Sequence, residues 1–204
     1  PMKYAKGYSS LAQVYAQWQH KFSDQLVLNT GIHIQHFSLS RSTSAPAPRV
    51  GLRYQFKENQ YVSFGYGLHH QIQPLPTYYN AEVTALGNGK PTNLNMGFSR
   101  SNHLVLGYDL TFKKDFHFKA ETYFQYIDKV PVEKFSSSFS MLNAGAEFST
   151  PNNTNLTNKG VGMNYGVELT MEKFFSKGYY LLTTASIFQS RYKGSDNVWR
   201  NTAF

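Results

Sequence analysis

The chain has 204 residues, no cysteine, 16% charged and 16% aromatic residues, a formal net charge of +8 and a mean hydropathy of −0.46. Disulfides, thiolate metal centres and cysteine nucleophiles are thereby excluded, the 15 Tyr, 16 Phe and 2 Trp exclude a disordered chain, and no apolar run approaches the roughly 20 residues of a membrane helix. The positive charge is spread along the chain rather than gathered into runs of Lys and Arg, which argues against a nucleic-acid partner, while charged residues fall well short of the roughly 25% usual in soluble domains.

No apolar export segment opens the chain at Pro1-Met2-Lys3-Tyr4. Period-two alternation then dominates. A weak version comes first, with Ala12, Val14, Ala16 and Trp18 against Gln13, Tyr15, Gln17 and Gln19. Stronger strands follow: Leu26, Leu28, Thr30, Ile32 and Ile34 oppose Asn29, Gly31, His33 and Gln35. Val50, Leu52, Tyr54 and Phe56 oppose Gly51, Arg53 and Gln55, and Val62, Phe64, Tyr66 and Leu68 oppose Ser63, Gly65, Gly67 and His69. Leu104 to Phe112 alternates with Gly107, Asp109 and Thr111 on its polar face. Phe116 to Tyr126 does so with His117, Lys119, Glu121, Tyr123 and Gln125, and Val161 to Met171 with Gly162, Asn164, Gly166, Glu168 and Glu172. Tyr179, Leu181, Thr183, Ala185 and Ile187 close the series. These are about eight strands of roughly ten residues, the length of a tilted membrane-spanning strand.

The connections alternate in length. Tight turns are expected around Phe22-Ser23-Asp24, Lys57-Glu58-Asn59, Lys113-Lys114-Asp115 and Ser176-Lys177-Gly178. Long polar stretches run from Ser38 to Pro48, Gln71 to Asn102 and Asp128 to Lys159. Short turns on one side and long loops on the other are the asymmetry of an outer-membrane barrel. No Asp, Glu, Lys or Arg occupies the apolar faces named above, a segregation that lipid enforces because Lys or Arg at the bilayer midplane costs about 2–4 kcal/mol. Large aromatics crowd the tight-turn ends, at Phe22, Phe56 with Tyr61, Phe112 with Phe116, and Phe174 and Phe175 with Tyr179, as an interfacial girdle requires. The competing fold is the same barrel inside out, a soluble eight-stranded barrel around a small ligand. Against it, the polar face is rich in Gly, Ser, Asn and Gln rather than Lys and Glu.

Pro48 through Gln73 resembles the mid-barrel of TonB-dependent outer-membrane receptors, particularly the type with a carboxypeptidase-regulatory-like N-terminal extension. Ser101 to Tyr108 is similar to the point where a long extracellular loop re-enters such a barrel, and Asn164 to Thr170 and Trp199 to Thr202 fit the same pattern. The resemblance implies a barrel of about 22 strands with a plugged lumen, driven through the TonB energy-transducing complex acting on the receptor's own plug domain. Residues 1–204 are then expected to be part of that barrel in the bacterial outer membrane, without plug or signal segment. The terminal Val198 to Ala203 lacks the alternation of a closing strand and reads as a loop returning toward a further one, even though Phe204 is aromatic.

Catalytic constellations are lacking: no Gly-x-Ser-x-Gly, no Gly-x-x-x-x-Gly-Lys and no His-Glu-x-x-His is present, so neither enzyme, cofactor nor metal is expected. His69 and His70 are adjacent on a strand and point to opposite faces, which disqualifies them as joint metal ligands. The candidate ligand- or plug-facing residues are His33, Arg53, His69, Lys119 and Glu121 on the polar face and Tyr78, Tyr79 and Arg100 in the long loop, since exposed Tyr and Arg over a rigid scaffold are materials of ligand capture. The Asn152 and Asn155 sequons are read as chance matches. The function expected is import of a scarce solute, a chelated metal, cofactor or oligomeric nutrient, with outer-membrane lipid as the surrounding partner. The alternatives are the soluble ligand-binding barrel and an outer-membrane adhesin or hydrolase.

Overall fold

The structure is a computed structural model and describes residues 8–82, 89–144 and 151–203. These form an antiparallel sheet: β1 (Leu11–Lys21), β2 (Leu26–Phe37), β3 (Ser42–Thr43), β4 (Ala47–Lys57), β5 (Gln60–Gln71), a single helical turn α1 (Leu75–Tyr78), β6 (Ser99–Phe112), β7 (Phe116–Glu133), β8 (Leu156–Ser176), β9 (Tyr179–Lys193) and β10 (Trp199–Asn201). Each strand pairs with the next in an up-and-down order, except that the two-residue β3 folds back on β2 and β4 takes the next place. Every alternation read from the sequence keeps its phase. Across the sheet, Leu28 pairs with Leu52, Leu52 with Phe64, Phe64 with Leu106, Leu106 with Thr122, Thr122 with Val167 and Val167 with Ile187, so one apolar row crosses seven strands on one face.

That face is uncovered. Leu106 is 49% exposed, Val167 46% and Ile187 81%, in a sheet whose outer strands β1 and β10 do not pair with each other. Water would not tolerate an apolar surface spread over this many strands, whereas lipid solvates it at no cost. The inside-out soluble barrel is therefore overturned: among the described residues nothing packs against the apolar face, and β1 and β10 do not pair to close the sheet.

The turn end carries exposed Phe22, Phe56, Phe174, Phe175 and Tyr179, and the Phe112 and Phe116 rings stack at 5.2 Å across the turn. Tyr61 departs from the expected girdle. Its partner Asp109 lies on the polar face, and Tyr61 turns there with the Arg53 guanidinium 4.2 Å from its ring centre. The β8–β9 turn needs Gly178, whose φ of +87° lies in the left-handed region.

At the other end the strands outgrow the membrane. β7 has 18 residues and β8 has 21, about twice a crossing. In the sequence the alternation runs only to Tyr126 in the one and starts only at Val161 in the other, so Asp128 to Lys159 reads as a loop. The cause is a pair of register shifts between Ile127 and Pro131, with Lys129 at φ 54°, above which Val130 and Val132 are buried by loops rather than by lipid. β10 is likewise a strand where a loop was expected, pairing Trp199–Asn201 with Arg191–Lys193; three residues are too few to show a period. Phe204, Pro1 to Gly7, and residues 83–88 and 145–150 of the long loops lie outside the described residues.

Most of the buried side chains gather beyond the long-loop end. Phe37, Tyr78, Met96, Phe98 and Leu156 form a core, flanked by Leu39, Ile72, Tyr79, Leu94, Phe139 and Met141. Asparagines stitch it. Asn93, 1% exposed, donates to Thr77 O and Asn153 O, both at 2.9 Å, and accepts from Leu156 N at 3.0 Å. Asn80 donates to Pro151 O at 2.7 Å and to Asn153 O at 3.1 Å. The described parts of the two longest loops are thus packed together as one cap.

Candidate functional site on the lumen wall

Because side chains alternate, the face opposite the lipid band is fixed by the same register. One row runs Gln17, Gly31, Arg49, Gly67, His103, Gln125, Asn164 and Ser190 through directly paired positions. On its β6–β9 side the row is a hydrogen-bonded ladder: Ser190 donates to Asn164 (2.7 Å), Asn164 to Gln125 (2.8 Å) and Gln125 to Ser101 (2.8 Å). Every side-chain amide there has a partner, so the wall is rigid. On its β1–β5 side the row is bare at Gly31 and punctuated by Arg49.

His33 and His69 stand just beyond this row toward the cap. His33 Nδ1 is 3.3 Å from Gln35 Nε2. The His69 ring lies over Gly67: a Cβ there would come within 2.5 Å of His69 Nε2, so glycine at 67 is what admits the imidazole. His103 meets the Tyr123 ring edge-on at 6.2 Å. Between Arg49 and β1 the wall is hollowed into a concavity of about 480 Å³, lined by Gln13, Tyr15, Gln17, Asn29, His33 and Arg49 among others. This is within the size range of small-ligand sites.

Nearer the tight turns the polar face carries charge of both signs. Arg53, Ser63, Gly107, Glu121 and Glu168 form one row, Asp109 and Lys119 pair in the next, and His117 and Glu172 in the one after. Lys119 Nζ lies 2.7 Å from Glu121 Oε2, and His117 Nε2 lies 3.0 Å from Asp109 Oδ1.

The expected site residues thus separate into groups. His33 and His69 flank the concavity's row, while Arg53, Lys119 and Glu121 share the lower, mixed-charge rows. The three loop residues do not join them. Tyr78 is a correction: it is 0% exposed, its hydroxyl accepts from Gln73 N at 3.2 Å, and burial raises its pKa. A ring in the centre of the cap core offers a ligand nothing, and Tyr79 packs against the same core. Arg100 occupies the parity of the apolar face, opposite His70, where it is locked bidentately to Asp128 at 2.8 and 2.5 Å. It is a second correction to the ligand-capture reading, since an arginine engaged on both sides of its fork holds strands together.

Arg49 escaped the sequence reading because the alternation was counted from Val50. The Arg49, Gly51, Arg53 spacing places both arginines on the polar face and was the available signal. Asn153 and Asn155, read as chance sequon members, are structural: Asn153 donates to Glu133 Oε1 at 2.7 Å, and Asn155 sits at φ 54° with its amide N–H donating to Thr92 Oγ1 at 2.9 Å.

The architecture has solved counterparts. The FrpB iron transporter from Neisseria meningitidis (F3-3 variant) matches with a TM-score of 0.62 at 14% identity over 93% of this chain and 27% of its own. The ferric-catecholate import receptor Fiu from E. coli K12 matches at 0.63 and 12% over 91% and 28%. The RagAB peptide transporter matches at 0.64 and 12% over 90% and 22%. The chain therefore spans about a quarter of the length of these structures. No curated protein matches the sequence. The family model for the TonB-dependent receptor-like β-barrel matches residues 3–203. An apolar band facing lipid, a polar lumen wall and a match along essentially the whole length converge: the chain belongs to the TonB-dependent receptor-like β-barrel family of the bacterial outer membrane.

Proposed function

We propose that residues 1–204 are one section of a larger barrel that imports a scarce solute, a chelated metal, a cofactor or an oligomeric nutrient, across the outer membrane. The family supports an importer powered through the TonB complex and gated by a plug in the lumen. In this reading the outward face is solvated by lipid, and the mixed-charge rows around Arg53, Lys119 and Glu121 seat the plug. The wall near the cap, with His33 and His69, meets solute. The observation that carries it is the separation of an apolar face from a polar one across eight strands, with the charges on the apolar parity, such as Lys173 and the Arg100–Asp128 pair, confined to the strand ends.

The reading is tested by deleting the gene and measuring uptake of a panel of ferric chelates, cobalamin, oligopeptides and oligosaccharides. Loss of one substrate's uptake, matched by the same loss when the energy-transducing complex is deleted, is the expected result. Recovery of the full-length protein from the soluble periplasm would overturn it.

A further inference from the structure

We propose that the lumen wall around Arg49 binds the imported solute through a negatively charged oxygen group, a carboxylate or a phosphate. This deepens the import reading above and rests on it.

The first observation is how charge is distributed along the lumen axis. Among the described residues, the four carboxylates on the polar face of the strands are Asp109, Glu121, Glu168 and Glu172, and all lie level with Arg53 or closer to the tight turns. Nearer the cap the same face holds a guanidinium and three imidazoles, at Arg49, His33, His69 and His103, with no carboxylate among them. Arg49 is four residues from Arg53, roughly 13 Å along the strand. Arg49 supplies the permanent charge at this level while the imidazoles add ring nitrogens that can hydrogen-bond, and a low-dielectric wall concentrates that field on an entering solute.

The second is the state of Arg49 itself. Arg100 is paired with Asp128 and Arg200 with Asp196, and Arg53 lies over the Tyr61 ring. Arg49 has no ion pair, hydrogen bond or ring partner among the described residues, and it is exposed into the lumen. A guanidinium presents a planar fork of donors matched to carboxylate or phosphate oxygens.

The third is the space kept beside it. A Cβ at Gly51 would meet only Asn29 Cβ, and one at Gly65 only Val105 Cβ, each at 3.9 Å; neither glycine has a positive φ. The backbone therefore has no need of glycine at either position. Side chains there would instead fill the wall next to Arg49. Gln17 and Asn29 line the adjoining concavity and supply neutral donors that fix a ligand's orientation.

The test uses the full-length receptor purified in detergent, its folding checked by heat-modifiable electrophoresis, and calorimetric titration with citrate and with inorganic pyrophosphate in separate arms. Saturable binding of either probe is expected, weakened by about tenfold or more in R49Q and by less than about twofold in R53Q, which sits at the lower level. The arm that binds names the oxygen group. Folded receptor that binds neither anion, or binds one equally in R49Q, overturns the proposal while leaving import intact. Binding of spermidine in preference to both anions also overturns it. A receptor absent from the outer membrane would instead defeat the import reading on which the proposal stands.

Discussion

Glu121 and Glu168 stand directly opposite each other in the β7–β8 ladder, both on the lumen face, and Glu121 is ion-paired with Lys119 at 2.7 Å. Like charges directly across a ladder destabilise it, and Glu168 has no ion-pair partner among the described residues. The proposed plug would bring a cation here.

In a full-length receptor, K119M is therefore expected to lower barrel stability by roughly 0.5–1 kcal/mol, a modest figure because the groups are partly exposed. E168Q added to K119M should restore most of it. Urea unfolding of the folded barrel, read as a double-mutant cycle, checks this; equal effects of K119M with and without E168Q would show that Lys119 and Glu168 are not coupled.

Lys173 is the one charged residue that the register puts on the lipid-facing parity near the turn end, opposite Phe116 and Leu181. It is only 4% exposed, and its Nζ donates to Ser176 O and Oγ at 2.9 Å, Tyr179 O at 3.1 Å and Phe174 O at 3.3 Å, 3.8 Å from the Tyr179 ring centre. The stem lies along the apolar face and the head caps the turn. K173M should leave those oxygens unsatisfied at a cost of about 2–3 kcal/mol, seen as a lower temperature of the electrophoretic unfolding transition. An unchanged transition would mean that water replaces the ammonium freely.

Asn93 saturates its amide by joining α1 to the chain entering β8. N93D removes both donors and sets a carboxylate against two carbonyls, so local stability of the cap should fall by about 2–4 kcal/mol. Limited proteolysis within residues 71–98 should accelerate by at least tenfold, while the barrel's unfolding temperature stays put. Cleavage at the wild-type rate would separate the cap's rigidity from Asn93.

Asp196 and Arg200 clamp the β9–β10 connection at 2.6 Å, and the guanidinium's hydrogen bond holds the Asp196 carboxyl below the usual carboxylate range. A depressed folded pKa means that the clamp contributes above the unfolded value of about 4 and loses its contribution as pH falls through the folded value. Amide exchange at Val198, whose N–H donates to Asp196 Oδ1 at 3.1 Å, should lose protection on acidification in wild type. In D196N it should be pH-insensitive after correction for intrinsic rates.

The sheet was legible in the sequence because lipid and lumen impose opposite demands on successive residues: the phase at Leu52, Leu106 and Val167 could be counted without any tertiary knowledge. Legibility ended where the membrane ends. Val130, Val132 and Leu156 face loops instead of lipid, so no period marks them, and a buried Tyr78 reads in sequence like any exposed loop tyrosine. The asparagines of the cap share that problem, since Asn93 and Asn153 are explained by partners some 60 residues apart. At the lumen wall the residue types were readable, while their grouping into rows required the strand register.

Which face meets lipid decides whether this sheet is a section of an outer-membrane barrel. The 204 residues contain no cysteine, so no thiol of this section competes with single spin-labelled cysteines placed in the full-length receptor, any cysteine elsewhere replaced by serine, in outer-membrane vesicles at three adjacent pairs, Val105 and Leu106, Tyr123 and Phe124, and Asn164 and Tyr165. The expected result is relaxation by oxygen at 106, 124 and 165 and by a water-soluble nickel chelate at 105, 123 and 164. Reversed accessibility, or none of the alternation on any of the three strands, would contradict it.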